Sequence, residues 1–467
     1  MAHKKVVVVG GGITGLTAAY YLQKEIKDKK LSYEVKLVEA SNRLGGKIKT
    51  MKRDGFTIEQ GPDSLLARKQ PAIKLVEELG LKDQIIRNAT GQSYILVKNK
   101  LHKMPKGTFM GIPKNVRSLL SSNLISAKGK RRAFIDLILP RGKEVGDQSL
   151  GSFFRRRFGS ELLINQIDPL LSGIHSGDIN EMSLKATYPI FYQLEQEYGS
   201  VMKGLKKTKP KPAKNKEKNT TGAFFSFENG LETLIDSLAE KLDEGTVTTN
   251  NAVDHVEKKD YGYHLLLSNG DVENADAVIM ATPHFTAARM FSQYDFFKPL
   301  EVMPATSTAN VVLAFDQSAI KKDIDGTGFL VSKSSDYRIT ACTWTHKKWP
   351  TTTPDGKILL RCYIGRPNDQ SVVDMSDAEL IEIVLKDLKK TMKITSAPEF
   401  SVITRWKNAR PQYTVGHLDR ITAVRNHARE HLPGVFLTGS SYDGVGIPDC
   451  IDQGERTARE VVEFLRG

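Results

Sequence analysis

The sequence predicts an α/β protein joined to an α+β part, and three observations predict it. Apolar residues 6–9 end in Gly10, and Gly10, Gly12 and Gly15 fit G-x-G-x-x-G ahead of a helical pattern of Leu16, Ala19, Leu22 and Ile26. The C-terminus repeats this arrangement: an apolar run at 435–438, then Gly439, Gly444 and Gly446, then Ile451, Ala458, Val461 and Leu465 at helical spacing. Between them, residues 300–410 alternate short strands with one helix, the pattern of a mostly antiparallel sheet. A strand–glycine–helix unit at each end implies a discontinuous Rossmann-type domain in which both ends return to one dinucleotide.

Each element has a local reason. At the first turn Gly10 allows a tight bend, and Gly12 lets backbone approach a phosphate with no Cβ in the way. Gly15 lets helix and strand pack closely, and the helix start offers unpaired N–H groups, with Gly11, Ile13 and Thr14 completing the cradle. A second strand at 35–38 ends at Glu39 and Ala40, where an acid would bind ribose hydroxyls. Arg43-Leu44-Gly45-Gly46-Lys47 makes a second glycine turn with cations beside it. Gly61-Pro62 marks another turn, and a helix at about 70–79 is capped by Gly80. Residues 90–200 are basic and mostly helical. Their clusters Lys128 to Arg132 and Arg155 to Arg157 read as solvated helix faces. The segment around His175 is an apolar pocket wall or an ordinary helix end.

Residues 203–221 hold eight lysines and two prolines and read as a flexible loop. An amphipathic helix follows (Leu231, Leu234, Leu238, Leu242), then strands at 246–249, 253–258 and 263–267, a hairpin turn at Asn269-Gly270, and a buried strand to Met280. Strands at 309–315, 328–331, 339–343 and 358–364 and a helix at 377–392 form the α+β part. The expected organisation is a nucleotide domain at 1–70, 223–290 and 431–467, a substrate domain at 71–100 and 291–430, a helical domain at 101–202, and the lysine loop at 203–222.

Composition narrows the function. At 467 residues the chain exceeds one ordinary core. Lys plus Arg is 68 against 54 acidic residues, a formal charge of +14, which suits an anionic ligand, an acidic surface or nucleic acid. Three cysteines without paired spacing point to free thiols in a reducing compartment. The first strand begins at once, leaving no room for a signal peptide, and no run reaches the roughly 18–20 apolar residues of a spanning helix. The expected location is cytoplasmic, with at most peripheral membrane contact.

With these residues in place, the glycine turns, Glu59-Gln60-Gly61-Pro62-Asp63-Ser64, Ala281-Thr282-Pro283, Pro169 to Ile174, Thr404-Arg405-Trp406, Pro411-Gln412-Tyr413 and Gly444-Val445-Gly446-Ile447-Pro448-Asp449 together resemble the flavin-dependent amine oxidase and porphyrinogen oxidase superfamily. Nearly the whole chain shares the resemblance; the lysine loop matches no family motif. The resemblance implies FAD, with pyrophosphate on Gly10 to Gly15 and ribose on Glu39. It implies that Arg43, Gly46, Lys47, Gly61, Pro62, Asp63 and Ser64 run along the cofactor, that Val256 meets the adenine end, and that Trp406, Val445, Gly446 and Ile447 border the isoalloxazine. The implied reaction is oxidation of coproporphyrinogen III by oxygen in haem biosynthesis, releasing hydrogen peroxide. Transient contacts with other haem-pathway enzymes are also implied. Conjugation drives much of this chemistry, so a side-chain base is dispensable; Lys69 is the candidate.

Other readings compete. Protoporphyrinogen IX is the nearest alternative substrate. An amine oxidase on the same scaffold often cages the flavin with two aromatics, whereas the C-terminal segment here offers Tyr442 and no aromatic near Gly446. A nucleic-acid module on the lysine loop lacks interleaved aromatics and arginine. His427-Ala428-Arg429-Glu430-His431 satisfies the zinc-protease pattern H-x-x-E-H, but no third ligand is evident. The expectation is neither nucleic acid nor metal.

Overall fold

The computed structural model describes residues 3–143, 146–208 and 222–467. Most of the expected lysine loop therefore lies outside the described residues, and its start is corrected: residues 203–207 belong to helix Val201–Lys207, which Ser200 caps and Val201, Met202 and Leu205 bury. The chain divides into two compact units, Met1–Ile86 with Ala223–Pro304 and Leu418–Gly467, and Arg87–Gly222 with Ala305–His417.

The first unit is built on a five-stranded parallel sheet. Its strand order is Val247–Thr248, Tyr33–Val38, Lys4–Val9, Ala277–Met280, Val435–Leu437. Both faces are covered, which is why the run at 6–9 is valine throughout rather than alternating with polar residues. Val6 and Val8 join Leu16, Leu22, Ile451 and Val461 on one face, under helices Ile13–Asp28 and Ile447–Arg466. Val7 and Val9 join Val256, Leu265, Phe291 and Tyr442 on the other. A three-stranded antiparallel sheet, Val253–Lys258, Tyr263–Leu267 and Val272–Ala275, packs into that second layer.

The second unit holds a seven-stranded sheet, antiparallel except where Gly328–Val331 runs parallel to Tyr94–Val97. Helix Asp377–Met392 covers one face with Leu380, Val384 and Leu388. It starts where the sequence predicts because Ser376 and Glu379 form a capping box. The helical segment has its own aromatic core of Phe153, Phe154, Phe158 and Phe191.

The unit boundaries fall at different residues from the expected domain limits. Helix Gln70–Glu78 belongs to the first unit because it packs on the C-terminal helix, with Lys74 bonded to Glu455 at 2.5 Å. Residues 291–304 and 418–430 join the same unit because Phe297, Leu300, Ile421 and Val424 share a core with Met280. The helical segment and the large sheet form one unit. Lys333 reaches Asp168 at 3.2 Å, Ser332 donates to the Ile164 carbonyl at 3.0 Å, and Gln412 donates to the His175 carbonyl at 3.0 Å.

The solvated-face reading holds for Lys128, Arg131 and Arg155, which are exposed, and is corrected at Arg157 and Arg132. Arg157 is fully buried, with Nε on Asp136 at 2.5 Å and Nη1 on Glu195 at 3.0 Å, and it donates to the Asp136, Pro140 and Gly199 carbonyls. Arg132 donates to the carbonyls of Arg155, Arg156 and Arg157, capping the end of helix Leu150–Phe158. Hydrophobic periodicity is blind to such guanidinium–carbonyl fastening.

His175 closes helix Asp168–His175, and Ser176 follows in the left-handed region. Burial, with a smaller contribution from Arg410, holds its pKa at about 4 against an ordinary 6.5. The unfolded chain takes the proton first. Stability from neutral His175 is therefore complete above about pH 6.5 and lost as pH falls toward 4, roughly 3 kcal/mol across that window. Trp344, Trp349 and Trp406, the three tryptophans, all lie in the second unit, so their fluorescence reports its unfolding. His175→Asn should flatten the decline over that window; an unchanged slope would remove His175 from the account.

Candidate functional site

The first glycine turn is assembled as a backbone cradle. Gly10 has φ +106° and donates to the Val38 carbonyl at 2.8 Å. A Cβ on Gly15 would lie 1.9 Å from the Gly10 carbonyl oxygen, so only glycine lets the helix begin this close to the strand. Gly11 donates its amide to Glu39 at 2.7 Å and accepts from the Gly45 amide at 2.8 Å. Gly12 is the N-cap of the first helix, with no side-chain cap and no acid in the first turn. A Cβ there would meet nothing within 4 Å. Unsatisfied amides facing open space form a seat for an anion. Ile13 and Thr14, both buried, form the helix's first turn.

Glu39 also accepts from the Ser41 amide and hydroxyl, at 2.8 and 2.7 Å, and Ala40 beside it is exposed. The second glycine turn lies on the first. Gly12 and Gly45 form an isolated bridge, and a Cβ on Gly46 would be 3.3 Å from the Gly12 Cα. Arg43 fastens this turn by donating to the Leu44 and Ile48 carbonyls at 2.9 and 3.0 Å and to the Gly46 carbonyl. Lys47 reaches Ser440 at 3.3 Å. Gly61, Pro62, Asp63 and Ser64 follow strand Phe56–Glu59 and are half-buried, with Ser64 donating to Asp63 at 2.8 Å. Lys69 then pairs with Asp449 at 2.6 Å.

That pair brings the two ends of the chain together. Helix Ile447–Arg466 starts on Gly446, also without a side-chain cap, and Val445, Gly446 and Ile447 are half-buried at its mouth. The N-terminal and C-terminal helices pack as closely as backbone allows, since a Cβ on Gly454 would lie 2.7 Å from the Thr14 carbonyl oxygen. Gln453 holds the entry loop, accepting from the Gly439 amide at 3.0 Å and donating to the Gly444 carbonyl at 3.2 Å. Burial pushes the Cys450 thiol up to about 11, which keeps it a neutral thiol at the second turn of this helix.

His284 is a residue that sequence reading missed. Its Nε2 lies 2.9 Å from the Met303 carbonyl and its Nδ1 3.2 Å from the Ser441 hydroxyl. A carbonyl can only accept, so Nε2 carries the proton and Nδ1 accepts from Ser441. Burial, and secondarily the charge of Lys47, lowers its pKa, and the imidazole stays neutral. His284 thus anchors the loop before the C-terminal helix. Its partner lies 157 residues away, so no local pattern announces it.

Every sequence-predicted site residue except Trp406 lies in the first unit. The Val256 side chain is fully buried in the core, so only its main chain is open to a ligand. Trp406 lies in the second unit on strand Phe400–Pro411, opposite Thr308. The face of that sheet turned away from helix Asp377–Met392 carries Thr308, Asn310, Arg361, Tyr363, Trp406 and Arg410, by strand register. Arg361 lies 5.0 Å above the Tyr363 ring. Tyr442 is buried in the first unit's core, with Arg425 at 5.6 Å from its ring. Its ring is thereby committed to packing, which argues against half of an aromatic cage. Cys342 and Cys362 are cross-strand neighbours and, with Cys450, are buried free thiols.

A flavin-containing amine oxidoreductase family model matches residues 13–462. The chain belongs to the flavin-containing amine oxidoreductase family. It is 49% identical over 463 residues to the coproporphyrinogen III oxidase of Bacillus subtilis, covering 99% of this chain and 98% of that one. It is 42% identical to the coproporphyrinogen III oxidase of Staphylococcus aureus, covering 99% and 100%. A crystal structure from Exiguobacterium sp. 255-15, described as a protoporphyrinogen oxidase, superposes over all of both chains with TM-score 0.88 and 38% identity. Putrescine oxidase at 18% identity and TM-score 0.72 shares the fold. As a member of this family the protein is an oxidoreductase and its cofactor is a flavin. The open cradle over Gly12 and the uncapped helix starts at Gly12 and Gly446 fit such a group. Among the described residues no helix is long and apolar enough to cross a membrane.

Proposed function

We propose that this chain oxidises coproporphyrinogen III to coproporphyrin III in haem biosynthesis, with FAD as cofactor and oxygen as final acceptor. Three oxygens are reduced to three hydrogen peroxides as six hydrogens leave the macrocycle. The observation that carries this reading is full-length identity of 49% and 42% to two coproporphyrinogen III oxidases. The flavin when bound supplies a two-electron acceptor.

This chain's own residues hold and orient. Gly10 to Gly15 take the pyrophosphate through backbone N–H groups, and Glu39 with Ala40 takes the ribose. Arg43, Gly46 and Lys47 and the Gly61-to-Ser64 segment line the cofactor's length, and the Val256 main chain takes the adenine end. Val445, Gly446 and Ile447 present the C-terminal helix start, whose positive end favours charge gained on reduction. Trp406 would border the isoalloxazine. Lys69, engaged with Asp449, keeps that helix start in place; extraction of hydrogen from a ring that gains conjugation leaves no obligatory task for a base. The buried guanidinium of Arg361 and its neighbour Arg410 suit substrate propionates, of which coproporphyrinogen carries four and protoporphyrinogen two. The reaction takes place in the cytoplasm, where a propionate-rich substrate needs no membrane.

Protoporphyrinogen IX is the second reading, favoured by the Exiguobacterium likeness and by plant protoporphyrinogen oxidases, the tobacco chloroplast enzyme at 28% identity among them. Equal coproporphyrinogen III and protoporphyrinogen IX incubated in air with the yellow protein should yield chiefly coproporphyrin III, quantified with oxygen uptake. Chiefly protoporphyrin IX would replace the first reading with the second.

A further inference from the structure

We propose that His427, Glu430 and His431 form a binding site for a divalent transition-metal ion such as Zn²⁺, Ni²⁺ or Cu²⁺, outside the flavin site. The three residues end helix His417–His431, and one ligand atom from each lies within 4.8 Å of the others. Spacing of i and i+4 sets both imidazoles on one helix face, where their rings stack at 6.0 Å with an interplanar angle of 11°. Phe296 lies against both, at 5.6 Å from His427 and 5.8 Å from His431. It is itself packed on the first unit's core, so it supports the two rings from one side and restricts their rotamers. The Glu430 carboxylate is 3.8 Å from His431 Nε2, next to the ring atom that would ligate.

The donor set selects the ion. Two imidazoles and one carboxylate suit Zn²⁺, Ni²⁺ and Cu²⁺, whereas Mg²⁺ and Ca²⁺ prefer all-oxygen shells. Bonds of about 2.0–2.2 Å bring the three atoms together through small side-chain rotations, which exposure permits. Three protein ligands leave coordination positions for water. The negative end of the helix dipole adds attraction for a cation at this terminus. The sequence pattern suggested a protease, but all three side chains are exposed, and among the described residues no further candidate ligand joins the group, so the assignment is binding, not hydrolysis. Arg425 on the same helix donates to Asp443 at 2.9 and 2.6 Å and to the Leu437 carbonyl at 2.9 Å, so an ion bound here braces a helix fastened to the loop before Gly444.

The test uses untagged, flavin-loaded full chain titrated calorimetrically with ZnCl₂, NiCl₂ and MgCl₂, and with Co²⁺ followed by its visible ligand-field bands. One saturable site for Zn²⁺ and Ni²⁺ and none for Mg²⁺ is expected. His427→Ala and His431→Ala should each weaken uptake about tenfold or more, and Glu430→Gln should weaken it less. Flavin absorbance should be unchanged in all three. Zn²⁺ should raise the melting temperature of the unsubstituted protein and not that of His427→Ala/His431→Ala. Uptake equal in the parent and the double variant, or no saturable uptake, would overturn the assignment; matched flavin spectra and circular dichroism ensure that a loss is not misfolding.

Discussion

Asp136→Ala should destabilise the second unit by about 3–5 kcal/mol, the expected cost of leaving a buried charge without its partner. Asp136 is fully buried and is the acceptor for several donors at once. It takes Arg157 Nε at 2.5 Å, the Ser200 hydroxyl at 2.6 Å and the Met202 amide at 3.0 Å. Its removal strips Arg157 of a carboxylate and takes the acceptor from the Ser200 hydroxyl and the Val201 and Met202 amides, while Glu195 is shared with Arg156 at 2.8 Å. Desolvation makes this loss far larger than that of an exposed pair. Arg156, about a third exposed, is the control: Arg156→Ala should cost roughly 1 kcal/mol. Urea unfolding followed by tryptophan fluorescence reads the second unit directly. A cost for Asp136→Ala no larger than for Arg156→Ala would show that the network is not what holds the helical layer.

What could be read in the sequence is what local chemistry determines. The strand at Lys4–Val9, the glycine turn and the helix after it follow from steric rules confined to neighbours, and their residues lie where the spacing predicts. Helix Asp377–Met392 was readable to its ends because its cap and its leucines are both local. Arg157 was not: a charged residue on an amphipathic segment reads as solvated until two other segments bring Asp136 and Glu195 to it. Cys342 and Cys362 are twenty residues apart in the chain and directly opposed only because two strands pair in one register. His284 and Gln453 are of the same kind, polar groups whose partners are chosen by tertiary structure. The strand Phe400–Pro411 shows half-burial along nearly its whole length, without the alternation that announces a strand. The glycine cradle is therefore the most readable part of the candidate site, and its polar supports are the least.

Gly12→Ala and Gly15→Ala separate folding from cofactor binding within one turn. The Gly15 Cβ position lies 1.9 Å from the Gly10 carbonyl oxygen and 3.3 Å from the Ala281 Cβ, so alanine must push helix and strand apart. Overpacking of this size costs about 1–3 kcal/mol or more, and the unfolding midpoint should fall together with flavin content. Gly12 has φ −72°, which alanine adopts without strain, and its Cβ position is open for 4 Å. Nothing in the protein resists that methyl group. If the open space is where the pyrophosphate meets the N–H groups of the first helix, the methyl group displaces a ligand and leaves the fold alone. Gly12→Ala should then keep the parent's circular dichroism and weaken flavin binding about tenfold or more, at least about 1.4 kcal/mol. Flavin-to-protein absorbance after purification and flavin titration of the deflavinated protein give both quantities. Equal flavin affinity in Gly12→Ala and parent would place the phosphates elsewhere, even with the family assignment intact. A folding defect in Gly12→Ala as large as in Gly15→Ala would show that the space over Gly12 is needed by the protein itself.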